Sequence, residues 1–105
     1  MLNKPKLKKH RAVNNPVPTI HDQCAVCGLP YAHLHEIFYG TANRQISIAN
    51  KFQVRLCMDH HTGQHGVHSN IVFDLSLKRQ AQEEFEKTHT REDFLKLIGR
   101  NYLDA

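Results

Sequence analysis

The chain has 105 residues, 40% of them apolar, and a formal net charge of +4, a size that fits one small domain. None of its apolar runs approaches the length of roughly twenty residues that is needed to cross a bilayer. Its first residues are charged or proline, whereas a secretory signal has an apolar stretch there. These features argue against a membrane or secreted protein, so we expect a soluble protein of the cytoplasm. A domain of this size buries a modest fraction of its surface, so a bound metal would add needed stability.

The excess positive charge lies in the first twenty residues. They contain five basic side chains and no acidic one: Lys4, Lys6, Lys8, Lys9 and Arg11. Residues 21–105 carry nine basic and ten acidic side chains, so the remainder is close to neutral. Three prolines and the pair Asn14 and Asn15 disfavour regular structure, and we predict a flexible basic arm over 1–20 that binds DNA phosphates. The alternative is a terminus that only improves solubility.

Two pairs of candidate metal ligands share one spacing. Cys24 and Cys27 are separated by two residues, and Cys57 and His60 repeat that separation. This spacing lets a tight turn aim two ligands at one ion, and the Cys3His set is typical of a closed structural zinc site. The odd number of cysteines disfavours a disulfide framework. His61 is a rival to His60 as the fourth ligand, since adjacent histidines cannot be ranked from sequence.

Between the two ligand pairs, the residue pattern predicts two strands around a short helical insert. Residues 31–39 form the first predicted strand. Thr41 is a candidate N-cap for a helix that continues to about residue 49, and Asn50 and Lys51 form the predicted turn after it. Residues 52–56 alternate apolar and polar side chains and predict the second strand, which ends at the third cysteine.

The rest of the chain predicts three further helices. We predict a short helix over residues 58–65, which begins at the second ligand pair. Glycines at 63 and 66 limit its length. The apolar spacing over 71–87 indicates an amphipathic helix. Its predicted outer face is polar and contains Gln82, Glu83, Glu84 and Glu86. The sequence from Thr90 to Asp93 resembles a capping box, and the helix that follows should end at Gly99.

Histidines on two predicted elements form a second candidate metal site. His33 and His35 share one face of the first strand, with Glu36 beside them, and His61 and His65 lie one helical turn apart. Imidazoles from the two elements can converge on one divalent ion, which would stabilise the charge that develops when a phosphodiester is hydrolysed. The reaction also needs a base for the attacking water, and His35 or Glu36 suits that task.

Three further side chains are candidates for contacts at this site. His68 lies three residues beyond His65, and we expect it to serve the loop, although it could also reach the second ion or a phosphate. Arg44 and Arg55 are candidate contacts to the DNA backbone, with ordinary surface charge as the alternative.

The order of these motifs resembles the HNH nucleases of the ββα-metal class. It runs from Cys-x-x-Cys through a strand bearing His-Glu to a second strand that ends in Leu-Cys-x-x-His-His, with a further histidine downstream. The strings His-Leu-His-Glu-Ile-Phe at 33–38 and Gly-Arg-Asn-Tyr-Leu at 99–103 resemble small phage-encoded HNH-like proteins, some of them recombination-associated nucleases. The likeness covers about residues 22–103 and leaves only the basic arm outside it.

The resemblance implies an α+β fold: a small, zinc-stabilised, treble-clef-like ββα-metal module over 21–69, with C-terminal helices of 70–105 packed on it. It assigns the structural zinc ligands to Cys24, Cys27, Cys57 and His60, where His60 replaces the commoner cysteine. It assigns the catalytic ion to His35, His61 and His65. The general base falls on Glu36, a departure from the usual histidine, and His33 or His35 would serve if the strand were rotated.

The family also has a central asparagine, which orients the base through a hydrogen bond. It usually lies a few residues before the third zinc ligand, at the position of Phe52 in this chain. Asn50 is our candidate for that role, and Asn43 lies in the insert. Without a competent asparagine, the fold could persist as a binding module with weak or absent cleavage.

We therefore expect a metal-dependent HNH-like endonuclease that hydrolyses DNA phosphodiester bonds in phage DNA recombination or processing. Zinc would be structural and Mg²⁺ or Mn²⁺ catalytic, with DNA and a phage or host recombination protein as partners. Two alternatives stay open: a non-catalytic zinc-finger DNA-binding protein, and a protein-interaction module that uses the acidic helical face of 82–86. The sequence leaves the oligomeric state and the preferred DNA structure open.

Overall fold

The structure, a computed structural model, describes residues 17–103, and these form two strands and four helices. In chain order they are β1 (His33–Glu36), α1 (Asn43–Asn50), β2 (Gln53–Leu56), α2 (Met58–His61), α3 (Ile71–Phe85) and α4 (Arg91–Ile98). This mixture agrees with the expected α+β class. None of these described helices is long and apolar enough to span a bilayer. Outside the described residues lie the basic side chains of the arm that are predicted to contact phosphates, namely Lys4, Lys6, Lys8, Lys9 and Arg11.

The two strands pair antiparallel, with His33 opposite Leu56 and His35 opposite Val54. Ser47 of α1 ends this ladder, because its buried hydroxyl donates to the Phe38 carbonyl (2.8 Å) and accepts from the Phe38 N–H (3.1 Å). The strand predicted over 31–39 is therefore confined to β1. The same two hydrogen bonds fix α1 against the sheet.

The ends of α1 differ from those predicted. Ala42, not Thr41, occupies the N-cap position. Asn50 is the last helical residue, where its side-chain amide donates to the Ile46 carbonyl (3.0 Å). The turn predicted at Asn50 and Lys51 is confirmed at Lys51 alone, which adopts a left-handed conformation (φ 59°) and ends the helix.

The helix predicted to reach His65 stops at His61, because the chain then folds back on α2. A Cβ on Gly63 would lie 2.7 Å from the Asp59 Cα, and one on Gly66 would lie 2.6 Å from the His61 carbonyl oxygen. Both contacts are too close for a side chain, so this reversal requires glycine at the two positions. His65 consequently leaves the helix, and the prediction that it shares a helical face with His61 is wrong.

An aromatic cluster joins the strands to the last two helices. The ring centroids of Phe38 and Phe52 lie 5.2 Å apart, Phe94 of α4 lies 5.6 Å from Phe38, and Phe85 of α3 lies 5.7 Å from Phe52. Such edge-to-face contacts add to the free energy of burial. All four rings are buried, so α3 and α4 share one core with the strands.

Gln82 of α3 is buried, although the sequence predicts it on a polar outer face. Its amide nitrogen donates to Asn101 Oδ1 (2.9 Å) and Glu86 Oε2 (2.7 Å), and its oxygen accepts the Tyr102 N–H (2.8 Å). The C-terminal segment folds back on α3 and needs a polar partner there, which explains the error. The acidic face predicted for protein interactions therefore lacks Gln82.

The capping box predicted at the start of α4 is confirmed. Thr90 Oγ1 accepts the Asp93 N–H (3.0 Å), and Asp93 Oδ2 accepts the Thr90 N–H (3.2 Å). Gly99 ends the helix with φ 87°, as predicted. Phe94 faces the core, whereas the neighbouring Leu95 is 39% exposed.

Replacing Phe94 with alanine should destabilise the protein by about 3–5 kcal/mol, because it removes a fully buried ring from the centre of the aromatic cluster. Leu95→Ala in the same helix is the matched control and should cost less than about 1 kcal/mol, since that side chain is partly exposed. Urea unfolding followed by circular dichroism, with zinc present throughout, measures both. Equal losses for the two variants would contradict this packing of α4.

Candidate metal centres

The first candidate centre joins the loop at residues 24–27 to the start of α2. The Ala25 N–H donates to the Arg55 carbonyl (2.9 Å), which ties the loop to β2. Cys57 directly follows that strand, and His60 lies one turn into α2. The strand and the helix thus deliver the second ligand pair to the loop that carries the first.

This centre has four candidate ligand atoms, which all lie within 4.8 Å of one another. They belong to Cys24, Cys27, Cys57 and His60. The cysteines are free thiols in the described chain, and Cys27 Sγ is 3.7 Å from Cys57 Sγ. Tetrahedral zinc with bonds of about 2.3 Å sets two sulfurs roughly 3.8 Å apart. His60 Nδ1 lies 3.2 Å from Cys57 Sγ and 3.8 Å from Cys24 Sγ. The group can therefore bind a metal such as zinc, with His60 rather than His61 as its fourth member.

The loop backbone favours the metal-binding form of Cys24. Burial raises the pKa of this thiol, but hydrogen bonds from the backbone N–H groups of Cys27, Cys57 and Val26 outweigh burial and lower the pKa to about 6. The Val26 N–H lies 3.4 Å from the sulfur. Thiolate, the form that ligates metals, therefore predominates at neutral pH.

Arg55, a predicted DNA contact, is engaged within the fold. Its Nη1 donates to the Ala32 carbonyl (2.9 Å), and its Nη2 lies 3.6 Å from Asp22 Oδ1. The guanidinium thus holds the segment before Cys24 against the strands. Its contact with DNA stays a prediction.

The second candidate centre collects one imidazole from each of three elements: His35 from β1, His61 from the end of α2 and His68 from the loop before α3. One nitrogen of each ring lies within 4.8 Å of the others, and the Nε2 atoms of His61 and His68 are 3.3 Å apart. The chain reversal brings His68 there, since its N–H donates to the His61 carbonyl (3.3 Å). His68, expected to serve the loop, thus occupies the position that the sequence assigns to His65.

His35 is the most deeply buried member of this cluster, at 2% exposed, and its Nε2 has no hydrogen-bond partner among residues 17–103. A buried polar nitrogen normally has a partner, so this atom is suited to bind a ligand. The pKa of His35 is lowered to about 4, mainly by burial. The nearby His61, His68 and Lys78 add to this effect through their positive charges. Burial and the neighbouring His68 and His33 also lower the pKa of His61. Neutral imidazoles, which are the form that ligates metals, are therefore favoured.

A cation shared by the three rings accounts for the cluster better than hydrogen bonding alone. A bond between His61 and His68 would satisfy those two nitrogens and leave His35 Nε2 without a partner in the described part of the chain. Two imidazoles on a tetrahedral zinc with bonds of about 2.0–2.1 Å have nitrogens roughly 3.3 Å apart, close to the separation seen here. Imidazole ligands suit zinc, copper, iron and nickel, whereas magnesium prefers oxygen. The donor set therefore fits a transition metal.

A pocket of about 530 Å³ surrounds the cluster and brings further polar groups to it. Its walls include His33, Glu36, Tyr39 and Arg44. Arg44 Nε lies 3.4 Å from Glu36 Oε1, and Glu36 is largely buried whereas Arg44 is about half exposed. The neighbouring residues His35 and Glu36 thus reach one site, as the sequence predicts.

Two residues predicted to be catalytic, His65 and Asn50, lie among the described residues but do not line this pocket. His65 Nδ1 is 3.0 Å from Asp59 Oδ2 in an exposed pair, because the glycine reversal carries His65 away from α2. Asn50 borders a different cavity, between β2 and α3, because α1 extends to include it. The structure therefore does not bring these two side chains to the imidazole cluster.

Sequence reasoning favoured a loop role for His68 over a contact with the second ion, and it missed Tyr39 on the pocket wall and Lys78 beside that ring. The glycines at 63 and 66 are the available signal for His68, since they permit the chain to return to α2. Their spacing does not show where the returning segment ends. The positions of Tyr39 and Lys78 depend on the packing of α3, which local patterns do not report.

Comparison with known proteins leaves the family open. No family model matches the chain, and no curated protein or solved structure matches it significantly. The HNH resemblance therefore depends on the chain's own motifs.

Changing His60 to alanine should abolish tight zinc binding, because it removes one of four ligands from the Cys3His group. His65→Ala, in the same segment but outside both groups, is the control and should retain the zinc of the wild-type chain. Elemental analysis after gel filtration measures the metal, and circular dichroism measures the accompanying loss of structure. Zinc that survives His60→Ala but is lost in His61→Ala would make His61 the fourth ligand.

Changing His68 to alanine should weaken the binding of a second divalent ion by at least about tenfold, since it removes a direct ligand. His65→Ala should leave that affinity unchanged, because its imidazole contacts Asp59 instead. Calorimetric titration of the zinc-loaded protein with Ni²⁺ measures both affinities. A larger loss for His65→Ala than for His68→Ala would restore the assignment made from sequence.

Proposed function

We propose that the chain is a metal-dependent endonuclease of the HNH type, which hydrolyses phosphodiester bonds in DNA. The second centre carries the proposal: three imidazoles meet in a pocket that also holds a carboxylate and a guanidinium, and one of them has a buried nitrogen with no partner among residues 17–103. A partly open metal site, a base and a cation for phosphate are what metal-assisted hydrolysis needs. The motif order supports the same function, and a role in phage DNA recombination or processing follows from the resemblance.

The strands and α2 would supply the framework for this activity. We propose that β1, β2 and α2 form a ββα-metal module in which zinc at the Cys3His group is structural. In support, His60 and His61 are consecutive in α2, so one short helix positions a member of each group. Metal binding at the first group would thereby order the second.

A divalent cation held by His35, His61 and His68 would stabilise the negative charge that develops on the phosphate and on the departing 3′ oxygen. The three imidazoles would hold the cation, and the pocket that they line would give a phosphate access to it. These three ligands include no carboxylate. We therefore propose zinc or nickel ahead of the Mg²⁺ or Mn²⁺ that the resemblance implies.

Glu36 is the proposed general base. Its carboxylate lines the pocket, and its Oε1 faces Arg44 Nε at 3.4 Å, which leaves Oε2 to accept a proton from the attacking water. His33, on the exposed side of the same pocket, is the alternative base.

Arg44 is the proposed contact to the phosphate. It is about half exposed on the pocket wall. A guanidinium carries five N–H donors in a fixed fork, so its Nη groups can bind a phosphate oxygen while Nε stays near Glu36. The basic arm of residues 1–20 would add attraction to the DNA backbone without reading its sequence.

A non-catalytic DNA-binding protein is the second candidate, and one observation favours it. Among the described residues that line the pocket there is no asparagine, whereas the HNH family uses one to orient its base. In this alternative, the imidazoles and Arg44 bind phosphate oxygens without hydrolysis. Salt-dependent DNA binding without cleavage would identify it.

Plasmid nicking tests the nuclease proposal. The full-length, zinc-loaded protein should nick supercoiled plasmid with Ni²⁺ or added Zn²⁺, and more slowly with Mn²⁺ or Mg²⁺. Glu36→Gln should lower the rate at least about a hundredfold, because the amide cannot accept the proton. His65→Ala should nick at the wild-type rate. The proposal fails if no metal supports nicking of plasmid or cleavage of single strands and calorimetry detects no second ion.

A further inference from the structure

Tyr39 places an aromatic ring on the wall of the histidine pocket. Its centroid lies 5.2 Å from that of His68 and 5.9 Å from that of His35, so the ring borders the proposed ion site. Tyr39 is 42% exposed, whereas the preceding Phe38 is 1% exposed in the core. A large ring beside the second centre is therefore accessible to a ligand.

Helix α3 holds this ring in place. The Lys78 ammonium lies over the Tyr39 ring, 4.6 Å from its centroid, in a cation–π contact. Lys78 is itself held by Asp74 at 2.9 Å, and both side chains are largely buried. The ammonium covers one side of the ring, and the exposed part of the ring borders the pocket. A ring fixed in this way loses little entropy when a ligand binds to it.

Aromatic rings and cations alternate from this point toward the C-terminal segment, with the largely buried Lys78 near both tyrosine rings. Lys78 also lies 5.8 Å from the Tyr102 centroid, and the Arg100 guanidinium lies 4.8 Å from the same ring. Tyr39, Lys78, Tyr102 and Arg100 therefore form a strip that starts at the pocket; we refer to it as the aromatic–cationic strip. Stacking on rings and attraction to cations are the two means by which proteins bind single strands without sequence preference.

We propose that the aromatic–cationic strip binds an unpaired DNA strand, with one base stacked on Tyr39 and an adjoining phosphate at the second centre. The inference rests on the proposed nuclease function and names its substrate class: single-stranded DNA or the unpaired part of a branched duplex.

A continuous duplex cannot use Tyr39 in this way. Both faces of an internal base pair are covered by its neighbours, so a base must leave the stack before it meets a protein ring. That step is costly in an intact duplex and cheap in a single strand. The position of Tyr39 beside the ion site therefore selects a strand whose bases are already unpaired.

Oligonucleotide binding by the full-length, zinc-loaded protein tests the inference, without added divalent metal so that the probes stay intact. The probes are a short fluorescent single strand and the same sequence as a duplex. Tyr39→Leu should weaken single-strand binding about tenfold, because it removes the ring, and leave duplex binding unchanged. Tyr39→Phe keeps the ring and should match the wild type. Tyr31→Leu removes a similarly exposed tyrosine outside the pocket and should also match it.

The outcomes separate this inference from the nuclease proposal. Tighter binding of the duplex than of the single strand by the wild type overturns the inference, whether or not the variants fold. Unchanged single-strand binding by Tyr39→Leu, or an equal loss in Tyr31→Leu, also overturns it, while plasmid nicking by the wild type keeps the nuclease proposal intact. If the wild type binds neither probe and cleaves no DNA, the proposed function fails and the inference fails with it.

Discussion

Two adjacent histidines in α2 connect the candidate metal centres. His60 lies against the cysteine thiols, and His61 belongs to the group formed with His35 and His68. Consecutive residues of a helix lie about 100° apart around its axis, so one turn can present ligands to two separate sites. Metal binding at the cysteines would order that turn, and an ordered turn is what holds His61 beside the other imidazoles. The second centre would thus depend on the first although they share no ligand.

The remaining parts of the second centre come from segments that fold back on α2 and β1. Close packing at Gly63 and Gly66 returns the chain to α2 and delivers His68. The Ser47 hydroxyl ends the strand pairing at Phe38, and the next residue leaves the sheet to border the pocket. Two glycines in a turn and the small Ser47 of α1, and not the ligands themselves, therefore set the shape of this site.

Features marked by a fixed residue spacing could be predicted from the sequence, whereas contacts that no such spacing marks could not. The Cys3His group and the capping box of α4 follow from fixed spacings, and the structure agrees with both. His65 and His68 exchange roles because a tight reversal replaces the predicted helix, and helical periodicity contains no sign of it. Gln82 is buried because the C-terminal segment returns to α3, which no local pattern in α3 indicates.

The burial of His35 favours a ligand-binding role over a packing role. An unpaired buried nitrogen opposes folding, and an apolar side chain would fill the same space without that cost. The pKa of His35 falls from its ordinary value of 6.5 to about 4 on folding. The unfolded chain therefore binds more protons in that range, and this residue lowers the free energy of unfolding as the pH falls from 6.5 through 4. A cation that binds only the folded chain would offset the cost by mass action, which gives a small domain a physical reason to bury a histidine here.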